Sequence, residues 1–214
     1  NKKQNYLGPL IIIGVLFFVF GFVTWVNGTL IAFFKKAFNL DNTSSLLVTF
    51  AFFISYTVMA IPSSEILKKI GFKKGMAVGL GIMAIGTLTF VPAAKMASYI
   101  LFLVGLFVIG IGLTLLQTAS NPYVTILGDR ESAAQRISIM GIANKIAGIL
   151  SQKLLGGLLL ASSTVSVAVS SETELDKVTV PYLILTGVLI VLAILIMLSK
   201  GLPEVSEEQE GDTS

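Results

Sequence analysis

The stretch "LLQTASNPYVTILG", Leu115–Gly128, closes a long, almost unbroken apolar run with Gln117, Thr118, Ser120 and Asn121, and then Pro122. Taken with the residues from Tyr99 onward, it is long enough to cross a membrane, since a helix through the hydrocarbon core needs about 20 apolar residues. Gln117 lies roughly 27 Å along that helix from Tyr99 at 1.5 Å per residue. That is deep for a terminus if the helix runs on towards Gly128. Polar side chains at such depth are costly and usually face a cavity or a partner helix.

Five more segments of this kind surround it. The six are Leu10–Phe34, Leu46–Leu67, Met76–Val91, Tyr99–Tyr123, Ile137–Ala161 and Val180–Leu198. All six are expected to be helices, because a lipid-embedded segment has to satisfy its own backbone hydrogen bonds. The composition agrees: 54% of the residues are hydrophobic and only 13% charged. Glycines in the third span (Gly79, Gly81, Gly86) and the fourth (Gly105, Gly110, Gly112) predict close helix–helix packing.

Basic residues in the short loops give an orientation. Lys2, Lys3, Lys68, Lys69, Lys73, Lys74, Arg130, Arg136 and Lys200 fall on one side, against Lys35, Lys36, Lys95 and Lys177 on the other. Both ends of the chain are therefore expected in the cytoplasm. Residues 1–9 form a cytoplasmic segment, 10–199 a six-helix bundle, and 200–214 the start of a polar, acidic linker. The chain starts at Asn1 rather than Met, and both ends look cut from something longer. The stretch "SSTVSVAVSSETELDK" is expected to be the one sizeable external loop, polar and flexible.

Several chemistries are disfavoured at once. Without cysteine there is no disulfide framework, thiolate metal site or thiol nucleophile, and without histidine the commonest metal ligand and general base are missing. No phosphate loop, catalytic dyad or metal cluster is visible, and "GIGLTLLQ" lies mid-membrane, where it does not serve a nucleotide. An enzyme is not expected. A net charge of +3 gives no reason to expect nucleic acid.

What remains is hydrogen bonding. In the first span, "FVTWVNGTL" carries Thr24, Trp25, Asn27, Gly28 and Thr29, with Thr24, Asn27 and Gly28 on one helix face. An indole beside an amide suits a sugar, with its apolar face and ring of hydroxyls. The plainer alternative makes Trp25 an interface anchor and Asn27 helix–helix glue. In the fourth span Gln117 and Asn121 lie one turn apart, two amides offering donors and acceptors without charge. Pro122 removes a backbone donor and is expected to open the helix near its cytoplasmic end. The alternative for Asn121 and Pro122 is a helix terminus at the membrane surface.

In the fifth span Asn144, Gly148 and Gln152 step by four, flanked by Lys145 and Lys153. Lys145, about 12 Å in from Ile137, either snorkels to the interface or faces a cavity and binds substrate or an acidic partner. Lys153 poses the same choice from the outer end. Glu65, beside Lys68 and Lys69, reads as a structural clamp on the loop.

Four stretches carry a family resemblance: "FFVFGFVTWVNGTLIAFFKKAF", "ILKKIGFKKG", "LFLVGLFVIGIGLTLLQTASNPYVTILG" and "RISIMGIANKIAG". They resemble the fucose–galactose–glucose:proton symporter family of the major facilitator superfamily, nearest its bacterial glucose/galactose branch, over nearly all of residues 10–160. The resemblance implies an all-α membrane protein of twelve helices in two six-helix halves. The sugar site would lie at mid-membrane between the halves, with alternating access by rocking. This chain would be the amino-terminal half, partnered by a carboxy-terminal half or a second copy, in the bacterial inner membrane. The implied substrate is a hexose, co-transported with a proton or a sodium ion or carried by uniport, with no bound cofactor. A non-transporting sugar sensor, half-transporter scaffold or homodimer is the alternative. The fucose branch has an acid on its first helix and another on its fourth; Gly28 and Gln117 stand at those positions here, and neither titrates. The expected sugar contacts are Asn27, Gln117, Asn121, Asn144, Trp25, Thr24 and Gln152, with Lys145 the candidate for coupling.

Overall fold

A computed structural model describes residues 7–160 and 171–199, with backbone alone at 27–28, 155–156, 158–160 and 171–178. Eight helices follow one another along it: α1 (Leu7–Trp25), α2 (Asn27–Ala37), α3 (Asn42–Ser45), α4 (Leu47–Ile70), α5 (Phe72–Lys95), α6 (Tyr99–Ile126), α7 (Ala133–Leu160) and α8 (Ser171–Leu198). A short 3-10 turn, Arg130–Ser132, precedes α7, and no strand occurs among the described residues.

Among the described residues five helical stretches have the length and hydropathy to cross a membrane: Leu7–Ala37, Asn42–Ile70, Phe72–Lys95, Tyr99–Ile126 and Thr179–Leu198. The fifth expected span is not among them. It forms α7, 28 residues long, but Asn144, Lys145, Gln152 and Lys153 make it too polar to qualify by composition. The first expected span is one stretch with a break at Val26. Its amide still reaches Phe22 O at 3.2 Å, and its carbonyl accepts from Leu30 N at 3.0 Å, so the chain turns there without leaving helical register.

Two expectations need correction. The loop expected on the external side is shorter than expected, because residues 171–177 are already helical. Glu172, Glu174 and Asp176 fall in this first part of α8. The remainder of that loop, like residues 1–6 and the linker at 200–214, falls outside the described residues. Pro122 neither ends nor opens α6, which runs on to Ile126. Proline deprives only the Thr118 carbonyl of its partner, and hydroxyls help hold the helix there. Thr118 Oγ1 donates to Thr114 O at 2.7 Å and Thr125 Oγ1 to Pro122 O at 2.6 Å.

The tightest crossing joins α5 to α6. A Cβ on Gly112 would lie 2.5 Å from Gly79 O and 2.7 Å from Met83 N, and one on Gly86 2.9 Å from Gly105 O. Only glycine lets these backbones meet, as the spacing predicted. Gly110 meets α4 in the same way, against Phe52 O and Ser55 Oγ. Gly81 is the exception: it faces open space. Behind this slab α8 packs on α5, with Tyr182 stacked on Phe90 at 4.4 Å and the Thr87 and Thr186 hydroxyls 2.6 Å apart. On the other side α1 packs against α7.

Candidate functional site

The α1–α7 contact is held by polar groups at the Val26 break. A carbonyl at the end of a helix lacks an in-helix partner, and the Gln152 amide of α7 supplies one, donating from Nε2 to Trp25 O at 2.6 Å. Its Oε1 accepts from Thr29 Oγ1 at 2.9 Å. One side chain of α7 thus ties together the end of α1 and the start of α2.

Two turns earlier on α7, Asn144 makes longer bonds. Its Oδ1 accepts from Trp25 Nε1 and its Nδ2 donates to Phe17 O, both at 3.4 Å. The approach depends on glycine on both sides. A Cβ on Gly21 would lie 2.7 Å from Asn144 O, and one on Gly148 2.7 Å from Trp25 Cδ1. The Lys145 ammonium sits 4.8 Å from the centre of the Trp25 ring. Trp25 is 43% exposed, but Gly148 and Lys145 both lie against its indole, so little of its face is left open for a sugar. Thr24 donates to Phe20 O at 2.7 Å and is hydrogen-bonded to Tyr56 of α4.

The fourth-span amides differ from these. Gln117 is half-buried and Asn121 exposed. Gln117 stands seven residues after Gly110 and Asn121 seven after the buried Thr114, so both lie towards the side of α6 that meets α4 at Gly110. Among the described residues neither amide has a hydrogen-bond partner. The structure joins Trp25, Asn144, Lys145 and Gln152 into one cluster, and among the described residues no hydrogen bond links it to Gln117 or Asn121. Asn27 begins α2, and its side chain lies outside the described residues. Lys145 and Lys153 are exposed on α7, together with Ile142, Ile146 and Ile149.

One residue of consequence was counted in the sequence only as a loop cation. Arg136 is 8% exposed, and its guanidinium caps the open end of α6. Nε donates to Val124 O at 3.0 Å and Nη2 to Thr125 O at 2.8 Å. Nη1 donates to Asp129 O at 3.0 Å and Ser132 Oγ at 2.6 Å. A cation at a helix C-terminus also suits the dipole. Tyr56 is likewise absent from the sequence reading, since a lone hydroxyl on an apolar helix carries no pattern.

The arrangement offers neutral hydrogen bonding and fixed cations, with no gathering of three metal-ligating side chains among the described residues. Its relatives follow from the whole sequence. The profile of the Major Facilitator Superfamily matches residues 13–213. The chain belongs to the Major Facilitator Superfamily. It is 39% identical to a glucose/galactose transporter of Brucella abortus, over 98% of this chain and 50% of that protein. It is 32% identical to the L-fucose-proton symporter of Escherichia coli, over 99% of this chain and 51% of that protein. A crystal structure of the superfamily transporter FucP in the outward conformation superposes with a TM-score of 0.78 at 32% identity, covering 94% of this chain and 51% of that one. The fold is that of the amino-terminal half of this transporter architecture, and the chain spans about half the length of the curated relatives it matches.

Proposed function

We propose that this chain is one six-helix half of a hexose transporter of the bacterial inner membrane, working by alternating access against a second half. The loop lysines support an orientation with both ends in the cytoplasm. The observation that carries the reading is the pair of amides on α6, Gln117 and Asn121, one turn apart and without a hydrogen-bond partner among the described residues. An amide with no protein partner at membrane depth needs a polar ligand or water, and two of them one turn apart match adjacent sugar hydroxyls. The likeness to transporters named for glucose, galactose and fucose points to the same ligand class.

Asn144 and Gln152 take a different part in this reading. Their amides already serve the α1 break, so they position Trp25 and Thr29 and reach the sugar through small shifts of that contact. Proton coupling would need a carboxylate outside this chain, because its acids gather near helix ends and in loops, and Gly28 and Gln117 stand where the fucose branch has acids.

Uptake of labelled glucose or galactose by cells carrying the full-length protein tests the site. Gln117→Ala and Asn27→Ala should each lower uptake at least tenfold with unchanged protein in the membrane. Unchanged uptake in both would remove the site. Vesicles that bind hexose but never equilibrate it would replace the transporter with a sensor.

A further inference from the structure

We propose that the groove between α5 and α8, at the Lys74 end of α5, binds an anionic phospholipid, with one acyl chain between the helices and the phosphate on Lys74. The groove has a volume of about 590 Å³. Its floor is made by two small residues, Ala77 of α5 and Ala193 of α8, and its walls by Val78, Ile194 and Met197. Apart from Lys74 its lining is apolar. Both helices belong to stretches with membrane-spanning hydropathy, so an open apolar slot between them meets lipid tails.

Charge at the mouth selects among lipids. Four lysines, Lys68, Lys69, Lys73 and Lys74, crowd the turn from α4 to α5. Lys68 pairs with Glu65 at 3.5 Å. Lys73 donates to Ser199 O at 2.8 Å, fixing the end of α8 beside the groove. Lys69 and Lys74 are exposed and form no ion pair among the described residues. A slot for a chain with the Lys74 ammonium in its lining complements a lipid with a negatively charged head. A second groove on α8 shows what is missing without them. It has about 420 Å³ between Val15, Val188, Val191 and Leu195, and no charged residue in its lining. That groove has room for a chain and nothing to hold a phosphate.

The test uses the intact protein in membranes with photoactivatable phosphatidylglycerol and phosphatidylcholine of identical chains, and maps labelled residues by mass spectrometry. Phosphatidylglycerol should label Val78 and Ile194 at least fivefold more than phosphatidylcholine does, while Val188 in the second groove labels equally with both. Lys74→Gln should erase the preference and Lys74→Arg should keep it, which separates charge from misfolding. Equal labelling of Val78 by both lipids, or a preference that survives Lys74→Gln, overturns the proposal. So does protection of the groove from both probes, the result expected if a second copy or another helix is seated there.

Discussion

The α5–α6 and α1–α7 contacts are both close helix crossings made by glycine, yet they are built on opposite principles. Between α5 and α6 the glycines bring backbone against backbone, and apolar side chains fill the remainder. Lipid tails are as apolar as leucine, so packing rather than the hydrophobic effect holds such a contact. Between α1 and α7 the glycines make room for Trp25 and Asn144, and amides bond across to a broken helix. The first contact has one good arrangement. The second mixes short hydrogen bonds at Gln152 with long ones at Asn144.

The difference is most easily broken at Gly112. Gly112→Val would drive its side chain into the Gly79 carbonyl and the Met83 amide, backbone atoms with nowhere to go. Overpacking commonly costs about 1–3 kcal/mol, and this site should lie at or beyond the upper end. The expected outcome is loss of monodisperse protein in fluorescence-detected size-exclusion chromatography.

Arg136 is the strut between the two regions, binding the end of α6 from the start of α7. Hydrogen bonds to charged groups are worth roughly 1.5–3 kcal/mol, so Arg136→Ala should lower stability by about 2 kcal/mol in thermal unfolding. Arg136→Lys should recover only part of that, since an ammonium lacks the fork that spans Val124 O and Thr125 O.

A Thr29→Val and Gln152→Ala double-mutant cycle sharpens the polar side. Interhelical hydrogen bonds in membranes average about 0.6 kcal/mol in such cycles, so a coupling near that value is expected. Hexose uptake should fall further than stability does, because the break at Val26 would lose its tie to α7. A coupling near zero would show that the two side chains do not meet in the membrane.

The smallest effect lies outside both regions. Hydrogen bonds from Ser44 to Asp41, which caps α3, hold its carboxyl below the usual aspartate value. A lowered native pKa means the contribution is full above the ordinary pKa of about 3.9 and is lost as pH falls through the lowered one. The melting temperatures of Asp41→Asn and the parent should therefore keep a small constant gap from pH 5 to 8 and converge only in stronger acid.

Much of the fold was legible because the lipid environment leaves few options. A run such as Leu101–Leu116 has no means other than a helix to satisfy its backbone, and glycines at Gly79, Gly105 and Gly112 announce close neighbours. Local chemistry misled where a helix was held from outside. Pro122 looked like an opening because a proline removes a bond, but the hydroxyls and Arg136 that keep α6 intact are contributed by other residues. Residues 171–177 looked like loop because of their polarity.

The site divides along the same line. That Gln117, Asn121, Asn144 and Gln152 are amides at membrane depth, with no acid among them, was settled by the order of residues alone, since depth follows from counting along a helix. Which of those amides stay open was not. Asn144 and Gln152 are engaged by Phe17, Trp25 and Thr29, more than a hundred residues away in the chain, whereas Gln117 and Asn121 have no such partner among the described residues. A hydrogen bond depends on what lies about 3 Å from the side chain, and in a bundle that is set by how the helices cross.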